Sequence, residues 1–234
     1  GIEHNDVARF QGDYPLCSSD LPAGTVCMSP AEARRLRTPQ GVSTFSVVRS
    51  TFTIDWRDDP FNPRQGLYFA ADAEWVRSFE PVFDAGTGTT SFSNLIKSAF
   101  QLTGYAPLGA DLVLILSARY GQVFQLQDGS RTFPDRYFYL GGSDTLRGFP
   151  QESLSMADAP PGLPSAGGNV FVVLRSELRL PLGDTFGMAV FADIGNLWRE
   201  FTNIDLTTLR YTVGLGFLIN TPIGQLSFDY GFNI

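Results

Sequence analysis

Hydrophobic and polar side chains alternate with a period of two over most of the chain from Phe45 onward. Alternation of this kind is typical of β-strands that have one apolar and one polar face. The pattern predicts a series of strands of about 10–12 residues each, separated by turns rich in glycine and proline. The clearest alternation spans residues 46–56, 67–77, 92–103, 112–122, 172–180, 188–194, 209–217 and 226–234, and residues 1–12 are interpreted as the end of one further strand.

The length of these strands decides between two classes of β protein. Strands of soluble sheets usually have about 5–6 residues, and a soluble β-sandwich, which also alternates, is the alternative. Trp56, Trp75 and Trp198 fall near predicted strand ends, where membrane barrels carry aromatic girdles. We therefore predict an all-β fold, an antiparallel transmembrane β-barrel. Its polar face would line a lumen, because charged side chains are not tolerated against lipid.

The connections between the strands differ in length. Residues 58–66, 106–109, 181–184 and 220–224 are short turns, whereas residues 13–43 and 124–168 are long loops. Short turns on one side and long loops on the other are typical of outer-membrane barrels. Residues 29–36 of the first loop combine a serine cap, a proline and an acidic first turn, which predicts a short helix. Residues 1–234 are interpreted as a single barrel segment.

Composition and charge exclude other classes. Mean hydropathy is −0.02 and aromatic residues make up 13% of the chain. No apolar run approaches the ~20 residues of a membrane helix, so the chain is not a helical membrane protein. The net charge of −7 comes without a basic cluster, and a nucleic-acid partner is therefore not expected.

Cysteine and histidine usage argues against a metal site. Cys17 and Cys27 are the only cysteines and His4 is the only histidine, whereas a zinc site needs further ligands nearby. We expect Cys17 and Cys27 to form a disulfide across an exposed loop in an oxidising compartment, worth about 3 kcal/mol. Two free thiols are the alternative. No metal or cofactor is expected, and no catalytic motif is present, so we do not expect an enzyme.

Residues 137–149 do not fit a strand or a helix. A glycine pair, Gly141 and Gly142, is followed by a polar turn and then by Leu146, Arg147, Gly148 and Phe149. Glycines allow backbone angles and close approaches that other residues resist. The guanidinium of an arginine is a planar fork of donors that suits a carboxylate. The stretch therefore predicts a shaped loop whose arginine has an acidic partner, and the alternative is an arginine exposed on a surface loop.

This stretch resembles the loop signature of the BamA/TamA superfamily, outer-membrane barrels that insert or translocate other proteins. Residues 55–66 resemble its D-x-R-D…P-x-x-G turn, and residues 191–198 resemble its F-x-D-x-G-x-x-W strand. Residues 214–226 resemble its hairpin near the C-terminus, with Gln225 in place of the usual proline. The four motifs stand in the family's order.

The resemblance implies a site inside the barrel. In the family the long loop folds into the lumen, and its arginine meets acids on the inner wall of the next two strands. By motif position these residues are Arg147, Glu177 and Asp193, and the strand alternation independently places both acids on the polar face. The motif order also implies about nine strands, from near the seventh to the fifteenth, of a sixteen-stranded barrel.

The resemblance further implies a function and partners in the outer membrane of a Gram-negative bacterium. We expect an assembly factor that helps client β-barrel proteins insert through strand pairing. A secretion pore of the same superfamily, of the two-partner type, and a small passive barrel are the alternatives. The expected partners are the lipid bilayer, unfolded outer-membrane or secreted client proteins, and accessory lipoproteins.

Overall fold

A computed structural model describes residues 2–7, 41–84, 89–109, 111–156, 167–183, 185–221 and 224–234. Nearly all of its regular structure is β, apart from three 3₁₀ turns at Pro134–Arg136, Phe201–Asn203 and Leu206–Thr208. None of the helices in these ranges has the length and apolar character needed to cross a membrane. The strands are β1 (Ile2–Val7), β2 (Gly41–Asp55), β3 (Gly66–Ser78), β4 (Val82–Asp84), β5 (Thr89–Ser91), β6 (Asn94–Pro107), β7 (Val113–Gln125), β8 (Val170–Pro181), β9 (Phe186–Trp198), β10 (Arg210–Thr221) and β11 (Gly224–Asn233).

Nine of the strands form one antiparallel sheet in the order β1-β2-β3-β6-β7-β8-β9-β10-β11. Each strand of this sheet pairs with the next one along the chain, while β4 and β5 form a separate small hairpin. Sequential antiparallel pairing is what short turns between alternating strands produce. The prediction of an all-β antiparallel protein with about nine strands is confirmed.

Several predicted boundaries were displaced. β2 begins at Gly41, so the end of the predicted loop 13–43 is strand, because Gly41 pairs with Val7 of β1. Backbone pairing extends strands beyond the stretch in which side chains alternate. The hairpin of β4 and β5 was not predicted. The expected helix at 29–36 and the expected disulfide between Cys17 and Cys27 lie outside the described residues.

One face of the sheet, which we call the apolar face, presents large hydrophobic side chains that nothing in the described chain covers. Exposed apolar surface of this extent is unusual in a soluble protein and matches a surface that meets lipid. The residues include Val48, Phe52, Phe100, Leu102, Leu116, Leu174, Val190, Val213, Leu215, Phe217 and Phe228, each more than 40% exposed.

The tryptophans do not all belong to an aromatic girdle. Trp56 is 67% exposed beside the turn after β2. Trp75 is half buried near the C-terminal end of β3, away from that turn. Trp198 is only 2% exposed, and its indole N–H donates to the hydroxyl of Thr208 at 3.3 Å. The assignment of Trp198 to a lipid-facing girdle was wrong, because the loop after β9 covers the ring.

The opposite face, the covered face, lies under the described part of the connection between β7 and β8, residues 126–156 and 167–169, which we call the central loop. Two buried apolar clusters pack between loop and sheet, and Phe138 packs against both. Burying a leucine or phenylalanine side chain contributes about 1.5–3 kcal/mol, so these clusters hold the loop against the strands. The first contains Phe45, Val47, Val76, Val82, Leu95, Val123 and Phe133, and the second contains Leu140, Leu146, Leu154, Met156, Phe171, Val173 and Leu197.

Candidate functional site

The glycines of the central loop give it a shape that other residues would not adopt. Gly141, Gly142 and Gly148 have φ of 114°, 98° and 92°, in the left-handed region that favours glycine. A Cβ at Gly141 would lie 2.3 Å from the carbonyl oxygen of Pro150. The amide of Gly142 donates to the carbonyl of Phe149 at 2.9 Å, which closes the turn on itself. The folded turn delivers Arg147 to the sheet.

Arg147 is buried against the covered face and is held mainly by Asp193 of β9. Nε and Nη2 donate to the two carboxylate oxygens of Asp193 at 2.9 and 2.8 Å. The backbone N–H of Arg147 adds a third bond to Asp193 Oδ2 at 3.1 Å. Paired donation of this kind is the strongest and most directional contact that arginine makes. Arg147 is 4% exposed and Asp193 is 0% exposed, so the pair is shielded from water.

Two further carboxylates reach the same guanidinium. Nη1 of Arg147 donates to Glu177 Oε2 on β8 at 2.5 Å and to Asp229 Oδ2 on β11 at 3.2 Å. Arg179 pairs with the other oxygen of Glu177 at 2.7 Å, and Arg175 lies 3.6 Å from Asp193. We call these six residues the Arg147 cluster. Its three arginines balance its three carboxylates, which limits the cost of burying the charges.

The environment keeps Arg147 charged. Burial by itself lowers the pKa of Arg147, but hydrogen bonds and charge attraction from Asp193 and Glu177 outweigh it and raise the pKa above its usual range. The guanidinium also lies 3.6 Å from the centroid of the Phe191 ring, a cation–π contact that stabilises a positive charge. Arg147 therefore stays cationic at physiological pH.

The loop also touches β11 through its backbone. A Cβ at Gly231 would lie 2.7 Å from the amide nitrogen of Gly148 and 2.9 Å from the carbonyl carbon of Arg147. A Cβ at Gly148 would lie 3.0 Å from the carbonyl carbon of Gly231. Two glycines facing each other thus allow the loop to lie flat on the strand.

The structure brings the predicted loop residues and both predicted acids together. Leu146 is 0% exposed in the second apolar cluster, and Phe149 packs against that cluster. Arg147 is buried. The alternative interpretation, an arginine exposed on a surface loop, is therefore wrong. Asp229 and Gly231 were not among the predicted site residues. The alternation of β11 had placed Asp229 on the polar face, but no motif connected it to the loop.

A polar cleft of about 490 Å³ opens beside the cluster. Its polar lining consists of Ser143, Asp144, Arg147, Arg175, Glu177, Arg179, Ser227 and Asp229. Within the described ranges, no three His, Cys, Asp or Glu side chains are grouped so that they could hold a metal ion. Each carboxylate of the cluster is paired with at least one guanidinium, an arrangement that fixes a loop in place.

Comparison with known sequences identifies relatives. A family model described as the Omp85 superfamily domain matches residues 30–234. The outer membrane protein assembly factor BamA of Nitratidesulfovibrio vulgaris is 28% identical over 86% of this chain and 24% of that protein. A SAM50-like protein of Schizosaccharomyces pombe is 26% identical over 98% of this chain and 48% of that protein. The chain therefore spans about a quarter to a half of these relatives.

A solved structure shares the fold. The crystal structure of BamA from Haemophilus ducreyi lacking POTRA domains 1–3 superposes with a TM-score of 0.64 and 19% sequence identity. The match covers 82% of this chain and 40% of that chain. At this identity the similarity concerns the fold, and it relates the nine-stranded sheet to part of an outer-membrane barrel.

Proposed function

The chain belongs to the Omp85 superfamily, and from that premise we propose that it is part of an outer-membrane protein assembly factor, which helps client β-barrel proteins insert into the bilayer. The relatives of bacterial origin are outer-membrane assembly factors by name. The mouse relative is a sorting and assembly machinery component, 28% identical over 73% of this chain. The proposed location is the outer membrane of a Gram-negative bacterium.

The observation that carries the proposal is the buried Arg147 cluster. A passive channel works best with an open, hydrated lumen, whereas here the central loop is fastened across the covered face. The loop contacts β8, β9 and β11 through three carboxylates. A fastened loop stabilises the strands near it. Backbone pairing at other strands stays free to exchange with a client strand, and binding of this kind is recognition by strand addition.

The proposed mechanism uses contacts and no bond chemistry. Lipid meets the apolar face, and an unfolded client pairs with a strand edge of the complete protein. The residues of the Arg147 cluster act as positioning residues, because their charges are satisfied by one another. We propose no enzyme activity and no cofactor. Accessory lipoproteins would bind parts of the complete protein outside the barrel strands.

Depletion of the full-length protein from its host tests the proposal. Loss of the protein is expected to leave outer-membrane barrels unfolded, seen as bands that no longer shift on heating before electrophoresis. The wild-type gene restores assembly, and an Arg147→Ala variant does not. An Arg131→Ala variant, which changes an exposed arginine of the same loop, serves as the matched control and restores assembly.

Two outcomes contradict the proposal. Normal barrel assembly together with one secreted protein trapped in the periplasm identifies a secretion pore of the two-partner type. Normal assembly and normal secretion, with altered uptake of small solutes, identifies a passive barrel.

A further inference from the structure

The central loop carries a second buried arginine, Arg136, at the other end of the covered face. Arg136 is 7% exposed. Its Nη2 donates to Glu3 Oε2 on β1 at 2.5 Å, and its Nη1 pairs with Glu74 on β3. Its Nε lies 3.1 Å from Asp135 Oδ2 in the loop itself. No motif of the sequence pointed to Arg136.

The surroundings of Arg136 balance its charge. Arg49 on β2 bridges the same two acids, with Glu3 at 2.5 Å and Glu74 at 3.3 Å. Lys97 on β6 donates to the carbonyl of Tyr137 at 3.3 Å and lies 4.5 Å from the centroid of the Phe138 ring. We call Glu3, Arg49, Glu74, Lys97, Asp135 and Arg136 the Arg136 cluster. Three cations face three acids, as in the Arg147 cluster.

The two clusters lie at opposite ends of the strand order. The Arg136 cluster includes β1, the first strand in that order, and the Arg147 cluster includes β11, the last. We propose that the central loop is a brace that joins β1 and β3, toward one end of this strand order, to β8, β9 and β11, toward the other, with Arg136 as its second positioning residue.

The chain between the two arginines is held tightly enough to transmit that constraint. Phe138 and Gly168 exchange two backbone hydrogen bonds, at 2.8 and 2.9 Å. The ring of Phe138 packs edge to face on Phe171 of β8 at 4.8 Å. Leu140 then enters the second apolar cluster. Because each segment is fixed to the sheet, movement at one anchor strains the other.

The test uses buried cysteine reporters in the full-length protein in outer membranes, with Cys17 and Cys27 changed to serine. Val123→Cys reports on the Arg136 end, since Val123 is 7% exposed in the first apolar cluster. Val173→Cys reports on the Arg147 end, since Val173 is 0% exposed in the second. Arg136→Glu is expected to speed maleimide labelling at position 123 by more than about tenfold, because it removes the guanidinium that Glu3, Glu74 and Asp135 share and places a fourth acid beside them.

Two further measurements, on a charge-swap double variant and by amide hydrogen exchange, distinguish a brace from a local packing role. Glu74→Arg combined with Arg136→Glu is expected to restore much of the protection at position 123. Arg136→Glu is also expected to speed amide exchange in β1 while leaving β6 and β7 slow. Arg136→Lys, which keeps the charge but loses the planar fork, gives intermediate labelling and serves if the reversal prevents folding.

Arg131→Glu is the matched control, because Arg131 is exposed on the same loop, and it is expected to change neither readout. The proposal is overturned if Arg136→Glu and Arg136→Lys label no faster than Arg131→Glu. It is equally overturned if the loop opens while exchange in β1 stays at the wild-type rate, because Arg136 would then hold the loop alone.

Discussion

Arg136 and Arg147 lie on the same loop, yet the sheet holds them differently. The side chain of Arg147 is 3% exposed and that of Asp193 is 0% exposed. The side chain of Arg136 is 9% exposed, and its partners Glu3 and Glu74 are 30% and 19% exposed. Arg147 makes a paired contact with one carboxylate, reinforced by its own backbone amide. Arg136 divides its donors among acids from three elements.

The two clusters also differ in how completely their buried polar atoms are hydrogen-bonded. Within the described residues, Asp135 Oδ1 and Arg136 Nε are buried without a hydrogen bond, although Nε keeps its ion pair with Asp135. The Arg147 side chain and its carboxylates have no such atom in the same part of the chain. A fully satisfied buried network is rigid, whereas a partly satisfied one yields first. We therefore expect the loop to open from its Arg136 end.

The largest expected effect tests the burial of the Arg147 cluster. Asp193→Asn keeps the shape of the side chain but removes the charge from a partner that is 0% exposed. Removing the main carboxylate partner of a buried guanidinium costs about 3 kcal/mol or more, and Glu177 and Asp229 contact only Nη1 of Arg147. The folded band in unheated electrophoresis is expected to be lost at a lower temperature, and Val173→Cys is expected to label faster.

The matched control for this change is Asp111→Asn. Asp111 pairs with Arg64 at 2.6 Å, but the two side chains are 70% and 50% exposed. Exposed pairs contribute about 0–1 kcal/mol, and asparagine tolerates the positive φ of Asp111, 62°. Equal losses in the two variants would contradict the claim that burial makes the Arg147 cluster strong.

The second effect tests the backbone contact at β11. Gly231→Ala places a Cβ 2.7 Å from the amide nitrogen of Gly148, so the loop must lift away from the strand. Overpacking of this kind costs about 1–3 kcal/mol. Gly104→Ala on β6 is the control, because its Cβ would have only Leu67 Cδ1 nearby, at 3.9 Å. Unfolding in urea and labelling at position 173 measure both, and a Gly231→Ala protein as stable as Gly104→Ala would argue against the contact.

The third effect ranks the carboxylates around Arg147. Asp229 contributes one contact to Arg147 at 3.2 Å and its side chain is 18% exposed, so Asp229→Asn is expected to cost about 1 kcal/mol. Asp72→Asn, on the same face of β3 and bonded to the Thr51 hydroxyl, is the control. A loss as large as that of Asp193→Asn would show that β11 contributes as much as β9 to holding Arg147.

The smallest expected effect is a stabilisation, whereas the others are losses of stability. It tests the buried polar atoms of the Arg136 cluster that lack a hydrogen bond. Burial raises the pKa of Asp135, although Arg136 and Lys97 lower it in part and Glu3 raises it further. The folded pKa lies above the ordinary value of 3.8, so protonation of Asp135 stabilises the folded loop. This stabilisation is complete below pH 3.8 and is lost as the pH rises through the raised pKa.

Asp135→Asn removes that titration. At neutral pH the variant is expected to label at Val123→Cys slightly more slowly than the parent, because the side chain at position 135 no longer has to be buried as a charged carboxylate. Labelling between pH 4 and pH 7 is expected to lose part of its pH dependence. Asp128→Asn, an exposed acid of the same loop, should change nothing, and an equal response in both variants would contradict the assignment.

Sequence reasoning found the Arg147 site because two independent signals met there. The motif gave Arg147 a role, and strand alternation placed Glu177 and Asp193 on the face that the loop covers. Asp229 was on the correct face but lacked a motif. The contact of Gly148 with Gly231 depends on how the loop lies across β11, and no periodicity records that.

The Arg136 cluster could not be predicted for a related reason. Two of its acids, Glu3 and Glu74, come from β1 and β3, far along the chain from the loop. Alternation places many charges on the same face without saying which of them meet. The error at Trp198 has the same origin. Its exposure was predicted from its position near a strand end, whereas the loop after β9 determines its burial. The face on which a strand residue lies can be predicted from its neighbours in the sequence. The contacts of a loop with distant strands cannot.

The facing glycines of the central loop and β11 have a consequence for strand register. Gly231 pairs with Gly214 of β10, and a slip of β11 by one residue would turn the ring of Tyr230 or Phe232 toward Gly148. A slip by two would bring Asp229 or Asn233 there, each with a side chain where no Cβ fits. The loop can therefore seat only on a correctly registered β11, and its seating is a checkpoint for the protein's own folding.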